Sequence, residues 1–419
     1  MRGVLVMIWG MESKGLTMNA REIYLQVLGM KDADRTLRWE LGYWGGALLE
    51  WYREGLPRKF GFGRNLVYGE DVAGPGLQYP MPSYTDDFLF AHDVSDYFCL
   101  DKGPAPFPFN WFYSPRWDKK IIFESADKVE YVGTDGIRRL AFKDERSMPT
   151  WLGHPVTCEA DWEEIVRDRL NPNNLSQRYT VPDIVEFVSR AKDRDYPMCL
   201  YGSPIGFFGI LRFLIGEENL YYWYYDHSNL LKRILDHLCE MWLAIAEELT
   251  AMIDFDFGRF YEDMAYKVGS LISPAMFRNF MTPYYRRLID FAKSRGIEHF
   301  VVDSDGYVEE LIPLFMEAGV TTLLPFEVAA GNDVEKVRDR YPRLGMLGGV
   351  DKSALSSKGD IDRELDKVAR MIPRGGYIPY IDHAVPPGIS WENFRYYRER
   401  LNDIIDTVKV RPRRIDEMF

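Results

Sequence analysis

Val301-Val302-Asp303-Ser304-Asp305-Gly306 decides the fold class of this chain. An apolar β-type run delivers two carboxylates to its C-terminal end, and a glycine then turns the chain into a helical pattern from Val308 to Met316. The same grammar recurs at Phe257-Gly258-Arg259-Phe260-Tyr261-Glu262-Asp263 and at Tyr377-Ile378-Pro379-Tyr380-Ile381-Asp382-His383. In barrels and open α/β sheets, ligands meet side chains at the C-terminal ends of strands. Carboxylates at three such ends, one with a histidine, predict a single polar site, and hence an enzyme.

Working outward, helical patterns at 162–170, 181–191, 230–252, 274–294, 308–318, 334–340, 361–371 and 391–408 alternate with short strand-like runs. Those runs are 198–201, 259–262, 300–303, 322–325, 344–347 and 378–381, preceded by a first strand at Leu37 to Leu41. Alternating β and α with short connections predicts a parallel sheet. Seven strands, with an eighth in the irregular early region, are most economically closed as a (β/α)8 TIM barrel. The open doubly wound alternative lacks a GxGxxG turn after its first strand. Asn19, with Glu22 three residues on, predicts a capping box that starts the first helix. Residues 1–18 read as a flexible extension, with a true start near Met18. Residues 19–419 read as one barrel domain, with an irregular insertion at about 59–150 that ends in a β-hairpin (Lys128 to Val132, Gly133 to Gly136, Ile137 to Phe142).

At 419 residues with net charge −12, the chain has no basic block to suit nucleic acid. Cys99, Cys158, Cys199 and Cys239 lie far apart without a CxxC pair, which favours reduced thiols. No apolar run is long enough for a membrane span. A cytoplasmic protein without a membrane or nucleic-acid partner is expected.

At the end of the 300–303 run, Asp303 and Asp305 lie two apart on extended backbone and point the same way, suited to binding a divalent cation or exchanging protons; a helix cap by Asp305 is the plain alternative. Of Glu262 and Asp263, neighbours on a strand, only one can face the site. His383 can ligate a metal or act as general acid or base. Gly348-Gly349-Val350-Asp351-Lys352 forms a loop with exposed backbone that can approach a ligand closely. Trp39 and Tyr43 offer flat apolar walls, or core packing.

Taken in order, these segments resemble the uroporphyrinogen decarboxylase superfamily, which includes the cobamide-dependent methyltransferases. The likeness runs from Asn19 to Leu401. It rests on Tyr201-Gly202-Ser203-Pro204, Lys267 to Pro283 (KVGSLISPAMFRNFMTP), Asp303 to Gly306, Leu347 to Lys352 (LGGVDK) and Gly375 to Phe394 (GGYIPYIDHAVPPGISWENF). The resemblance implies a (β/α)8 barrel with a cleft at the strand C-termini. Asp303, Asp305, Glu262 and His383 are the expected catalytic residues, and their chemistry, not the resemblance, makes them candidate ligands of a divalent metal. Trp39, Glu40, Tyr43, Tyr201, Asp263, Asp351 and Lys352 would bind substrate.

Two departures shape the expected chemistry. Aromatics and Glu40 stand in Trp39-Glu40-Leu41-Gly42-Tyr43-Trp44, where the decarboxylases carry carboxylate-gripping arginines. Asp303-Ser304-Asp305 stands where the methyltransferases carry a zinc-binding His-x-Cys pair. The resemblance therefore implies corrinoid-linked methyl transfer from a small methylated donor, with a divalent metal, zinc first, and a corrinoid on a partner protein. The alternatives are decarboxylation of a porphyrinogen-like or smaller carboxylate, favoured if Arg38, Arg64 and Arg259 converge, and a barrel that only binds a tetrapyrrole. Relatives of this kind imply a homodimer.

Overall fold

The computed structural model describes residues 18–59, 92–143, 149–173, 175–202 and 204–412. The segment 1–17 and the insertion residues 60–91, which include Arg64, lie outside them. The central sheet has seven strands: β1 (Ala105–Pro106), β2 (Met198–Tyr201), β3 (Phe257–Tyr261), β4 (His299–Asp303), β5 (Thr322–Leu324), β6 (Gly345–Leu347) and β7 (Tyr377–Ile378). They lie side by side in chain order, and every neighbouring pair is parallel. Strand sequences such as Met198-Cys199-Leu200-Tyr201 and Thr322-Leu323-Leu324 are buried along their whole length. Such strands are what a parallel sheet covered on both faces requires.

Helices cross between the strands. The longest, Ser228–Met252, buries Leu231, Ile234, Leu235, Leu238, Trp242, Ile245 and Leu249, a 3.6-residue stripe against the sheet. The helix Ala20–Leu28 starts at the Asn19 capping box, as its sequence predicts. The helical pattern 274–294 is divided into Pro274–Phe280 and Thr282–Ser294, since Pro283 can sit at a helix start but not in an interior.

The α/β class with a parallel sheet is as expected, but the closing ladder of an eight-stranded barrel is not formed among the described residues. The predicted first strand at 37–41 is no strand. Residues 36–44 instead touch both edges of the sheet through single contacts. Thr36 Oγ1 donates to Tyr377 O (2.8 Å), Asp101 N to Arg38 O (3.0 Å) and Val385 N to Gly42 O (3.1 Å). Only the isolated parallel bridge of Tyr43 with Val385 forms, and side chains take other backbone groups: Arg38 N donates to Asp101 Oδ2, and Trp39 O accepts from Arg398 Nη1. The strand hidden in the Gly/Pro-rich region is β1, two residues long and ending in a proline that only an edge strand accommodates.

The hairpin Lys128–Val132 and Arg138–Phe142 is present, widened by Lys120–Glu124 and Thr150–Gly153 into a four-stranded antiparallel sheet. No helix among the described residues is long and apolar enough to cross a membrane.

Candidate functional site

The site lies where β3, β4, β5 and β7 run out. Past the end of β4, Ser304 Oγ accepts from Met264 N (3.2 Å) and Gly306 turns at φ 81°. A Cβ at Gly306 would stand 2.2 Å from Ala265 O, so the turn needs glycine. Past β5, Phe326 takes a left-handed φ of 59°, and Glu327 Oε2 accepts from Gly306 N (2.9 Å). The Asn332 amide donates to both Gly306 O and Glu327 O (2.8 Å each), clamping the two loops together. Past β7, His383 Nε2 lies 3.3 Å from Asp305 Oδ2. One donor atom from each of Asp305, Glu327 and His383 lies within 4.8 Å of the others.

Two carboxylates and an imidazole at that spacing suit a divalent cation of the zinc or manganese type. Lys352 Nζ, 3.5 Å from Glu327 Oε1, offsets part of the negative charge. Asp305 keeps 37% of its side chain open to solvent.

Gly306→Ala is expected to cost at least about 1–3 kcal/mol by urea unfolding, through the clash and the left-handed φ. Because Gly306 N also holds Glu327, metal affinity should fall with it.

Electrostatics couple these groups. Burial, with Asp305 and Asp263 adding to it, pushes the Asp303 carboxyl up to about 6, against the pull of Arg259. Burial also raises the Asp305 pKa, opposed by the His383 hydrogen bond. For His383, burial disfavours the cation, but the hydrogen bond and charge of Asp305 prevail and raise its pKa above 6.5. A metal needs the neutral imidazole, so affinity should rise with pH through that raised value, by about tenfold per unit below it for one displaced proton. Metal-free protein should show the opposite sign. The stability His383 contributes is complete below 6.5 and is lost as pH climbs through the folded-state value. Thermal unfolding against pH, with and without zinc, reads both slopes.

The structure brings Asp305 and His383 together and sets Asp263, Asp303 and Lys352 beside them. Asp263 Oδ1 accepts from Asp305 N (3.3 Å), and its Oδ2 from Tyr261 OH (2.6 Å) and Arg212 Nη2 (3.0 Å). Asp303 does not join the donor triad; its Oδ2 accepts from Arg259 Nη2 (2.7 Å). Glu262 does not join it either. It is fully buried, on the backbone amides of Phe207, Phe208 and Gly209 and on the Tyr285 hydroxyl.

Glu40 is likewise buried, on Tyr397 and Arg398 (2.7 Å each), because a carboxylate in that core needs a cation. Trp39 and Tyr43 pack in the core, and Tyr201 does too, its hydroxyl donating to Leu288 O (3.0 Å). Asp351 caps the short helix Lys352–Ser356 through Ser353 N, and so is turned from the cleft. Glu327, absent from the sequence-based set, had a signal: the run Thr322-Leu323-Leu324-Pro325-Phe326 also delivers a carboxylate past a strand end.

Residues 139–403 match the family described as uroporphyrinogen decarboxylase (URO-D). Among solved structures, 25 chains match. One, a methyltransferase from Methanosarcina mazei, aligns with a TM-score of 0.56 and 16% sequence identity, over 92% of this chain and 99% of that chain. At that identity the likeness is one of fold. No curated protein matches the sequence.

Proposed function

The chain belongs to the uroporphyrinogen decarboxylase superfamily, and from that premise we propose that it transfers a methyl group from a small methylated donor to a corrinoid carried by a partner protein. The observation that carries this reading is the Asp305–Glu327–His383 triad on the cleft floor. A divalent metal held there would supply Lewis acidity to the donor's heteroatom. The chain's own residues do the rest. Asp263, braced by Arg212, orients the Asp305 loop. As the carbon–heteroatom bond breaks, the heteroatom takes up a proton, for which Lys352, beside the triad, would be the donor. Residues 19–419 would form one (β/α)8 barrel, with segment 36–44 in the place of the first strand and 59–150 as an insertion. A cytoplasmic homodimer belongs to the same reading.

Decarboxylation of a polycarboxylate has less support. Arg38 is bound to Asp406 and Arg259 to Asp303, while Glu40 and its aromatic neighbours are buried. Methylation of reduced cobalamin, followed by its visible spectrum across methylated ethers, amines and thioethers, tests the proposal. A donor-dependent change that Asp305→Asn removes is expected. Silence across the panel, or release of CO2 from carboxylate substrates, would overturn it.

A further inference from the structure

We infer that Asp382 is a positioning residue for the metal triad, its carboxylate fixing where Glu327 stands relative to His383 and Lys352. The inference rests on the metal site of the methyl-transfer reading and names the group that holds that site in shape.

Asp382 lies just past β7, fully buried, and immediately precedes His383. The sheet fixes its backbone. The β6–β7 pairing extends to a parallel bridge between Val350 and Ile381, and Asp382 N donates to Val350 O (2.7 Å). The side chain then reaches across two neighbouring loops. Its Oδ2 accepts from Val328 N (2.8 Å) and its Oδ1 from Lys352 N (3.1 Å).

The Val328 amide belongs to the same peptide as Glu327 O, which accepts from the Asn332 amide (2.8 Å). That peptide plane is thus held at both poles. Asn332 ties it to the β4 loop through Gly306 O, and Asp382 ties it to the β7 loop. A plane held in this way fixes the backbone from which the Glu327 side chain leaves (ψ 114°). The other carboxylate oxygen acts on Lys352, whose Nζ lies 3.5 Å from Glu327 Oε1. An ionised acceptor makes each of these bonds roughly twice as strong as a neutral one, and burial keeps water from competing. The plainer alternative is that Asp382 only starts the short helices Val328–Ala330 and Lys352–Ser356, whose first amides it accepts. That role would lower stability and leave metal affinity alone.

The test is a zinc titration of the folded full chain against a competing chelator, with cobalt(II) as a second probe whose visible bands follow coordination geometry. Asp382→Asn keeps one acceptor and sets its NH2 against the other amide, so it should weaken zinc by about tenfold. Asp382→Ala should weaken it by about 10–100-fold. Both should shift the cobalt bands. Val328→Pro reaches the same bond from the donor side. It removes the amide hydrogen where the chain suits proline, since Glu327 has the extended ψ required before one and Val328 is the first residue of its helix. It should weaken zinc by about tenfold with Asp382 intact, and it decides alone should neither Asp382 variant fold. Asp256→Asn is the control for lost stability. Asp256 is a buried carboxylate on Met198 N and Arg194 before β3, at the opposite end of the sheet, and its loss should leave zinc affinity within about threefold. Unchanged zinc affinity and cobalt bands in the folded Asp382 variants overturn the inference. So does an equal loss of zinc in Asp256→Asn, which would mean that affinity merely follows stability. If the wild-type chain binds zinc and the Asp382 variants bind it as tightly, only this inference falls. If the wild-type chain holds no divalent ion, the metal reading falls with it.

Discussion

Glu327→Gln should abolish stoichiometric binding of a divalent cation, lowering affinity by more than about 100-fold, since even supporting residues around a metal are worth 10–100-fold. Glu327 is one of three donors within 4.8 Å, and the change removes its charge while keeping its shape. The amide oxygen of glutamine still accepts from Gly306 N, and Asn332 still clamps the loop through Glu327 O, so the fold should be retained. Asp305→Asn and His383→Gln should behave alike. Turnover should fall with metal content in all three variants. Metal analysis of the purified proteins beside a competing chelator reads the outcome. An unchanged ion content in Glu327→Gln would mean that the three groups do not share an ion. Glu262→Gln serves as the control, because Glu262 faces the amides of Phe207, Phe208 and Gly209 instead of the cleft.

The parallel sheet was legible because β2 to β6 are apolar runs with helical patterns between them. Asp305 and His383 were legible for a related reason, as polar residues immediately after such runs. Facing was harder. Strand alternation permits either Glu262 or Asp263 to enter the cleft, and a left-handed φ of 51° at Asp263 settles the matter locally. Nothing in the amino-acid string announces that angle. Glu327 was hidden because Pro325 and Phe326 read as more of the apolar run. Trp39, Tyr43 and Tyr201 show the converse ambiguity: an aromatic side chain suits a ligand wall and a core equally, and only burial distinguishes them. The predicted first strand failed because its backbone partners are mostly side chains far along the chain, such as Arg398, beyond the reach of a local pattern.

Glu262→Ala should destabilise the protein by about 3–5 kcal/mol, because four buried donors, each worth about 1–3 kcal/mol when orphaned, lose their acceptor. Glu262 Oε1 accepts from Phe207 N (2.7 Å) and from the Tyr285 hydroxyl, and Oε2 from Phe208 N (2.7 Å) and Gly209 N (2.9 Å). Gly209 opens the helix Gly209–Ile215, whose first amides have no partner within the helix. Water cannot replace the carboxylate readily, because the backbone of this loop presses on β3. A Cβ on Gly206 would fall 1.9 Å from Tyr261 O and one on Gly209 2.8 Å from it. Each orphaned buried donor costs about 1–3 kcal/mol, and relaxation keeps the total below their sum. Glu262→Gln should cost less, since its amide oxygen still serves the loop while its NH2 meets a donor. Urea unfolding at neutral pH measures both. At temperatures where Glu262→Ala is still folded, its zinc affinity should match the wild type within about threefold, a difference below 1 kcal/mol. A stable Glu262→Ala protein that has lost its metal would invert the assignment, placing Glu262 in the site and leaving the helix start to hold itself.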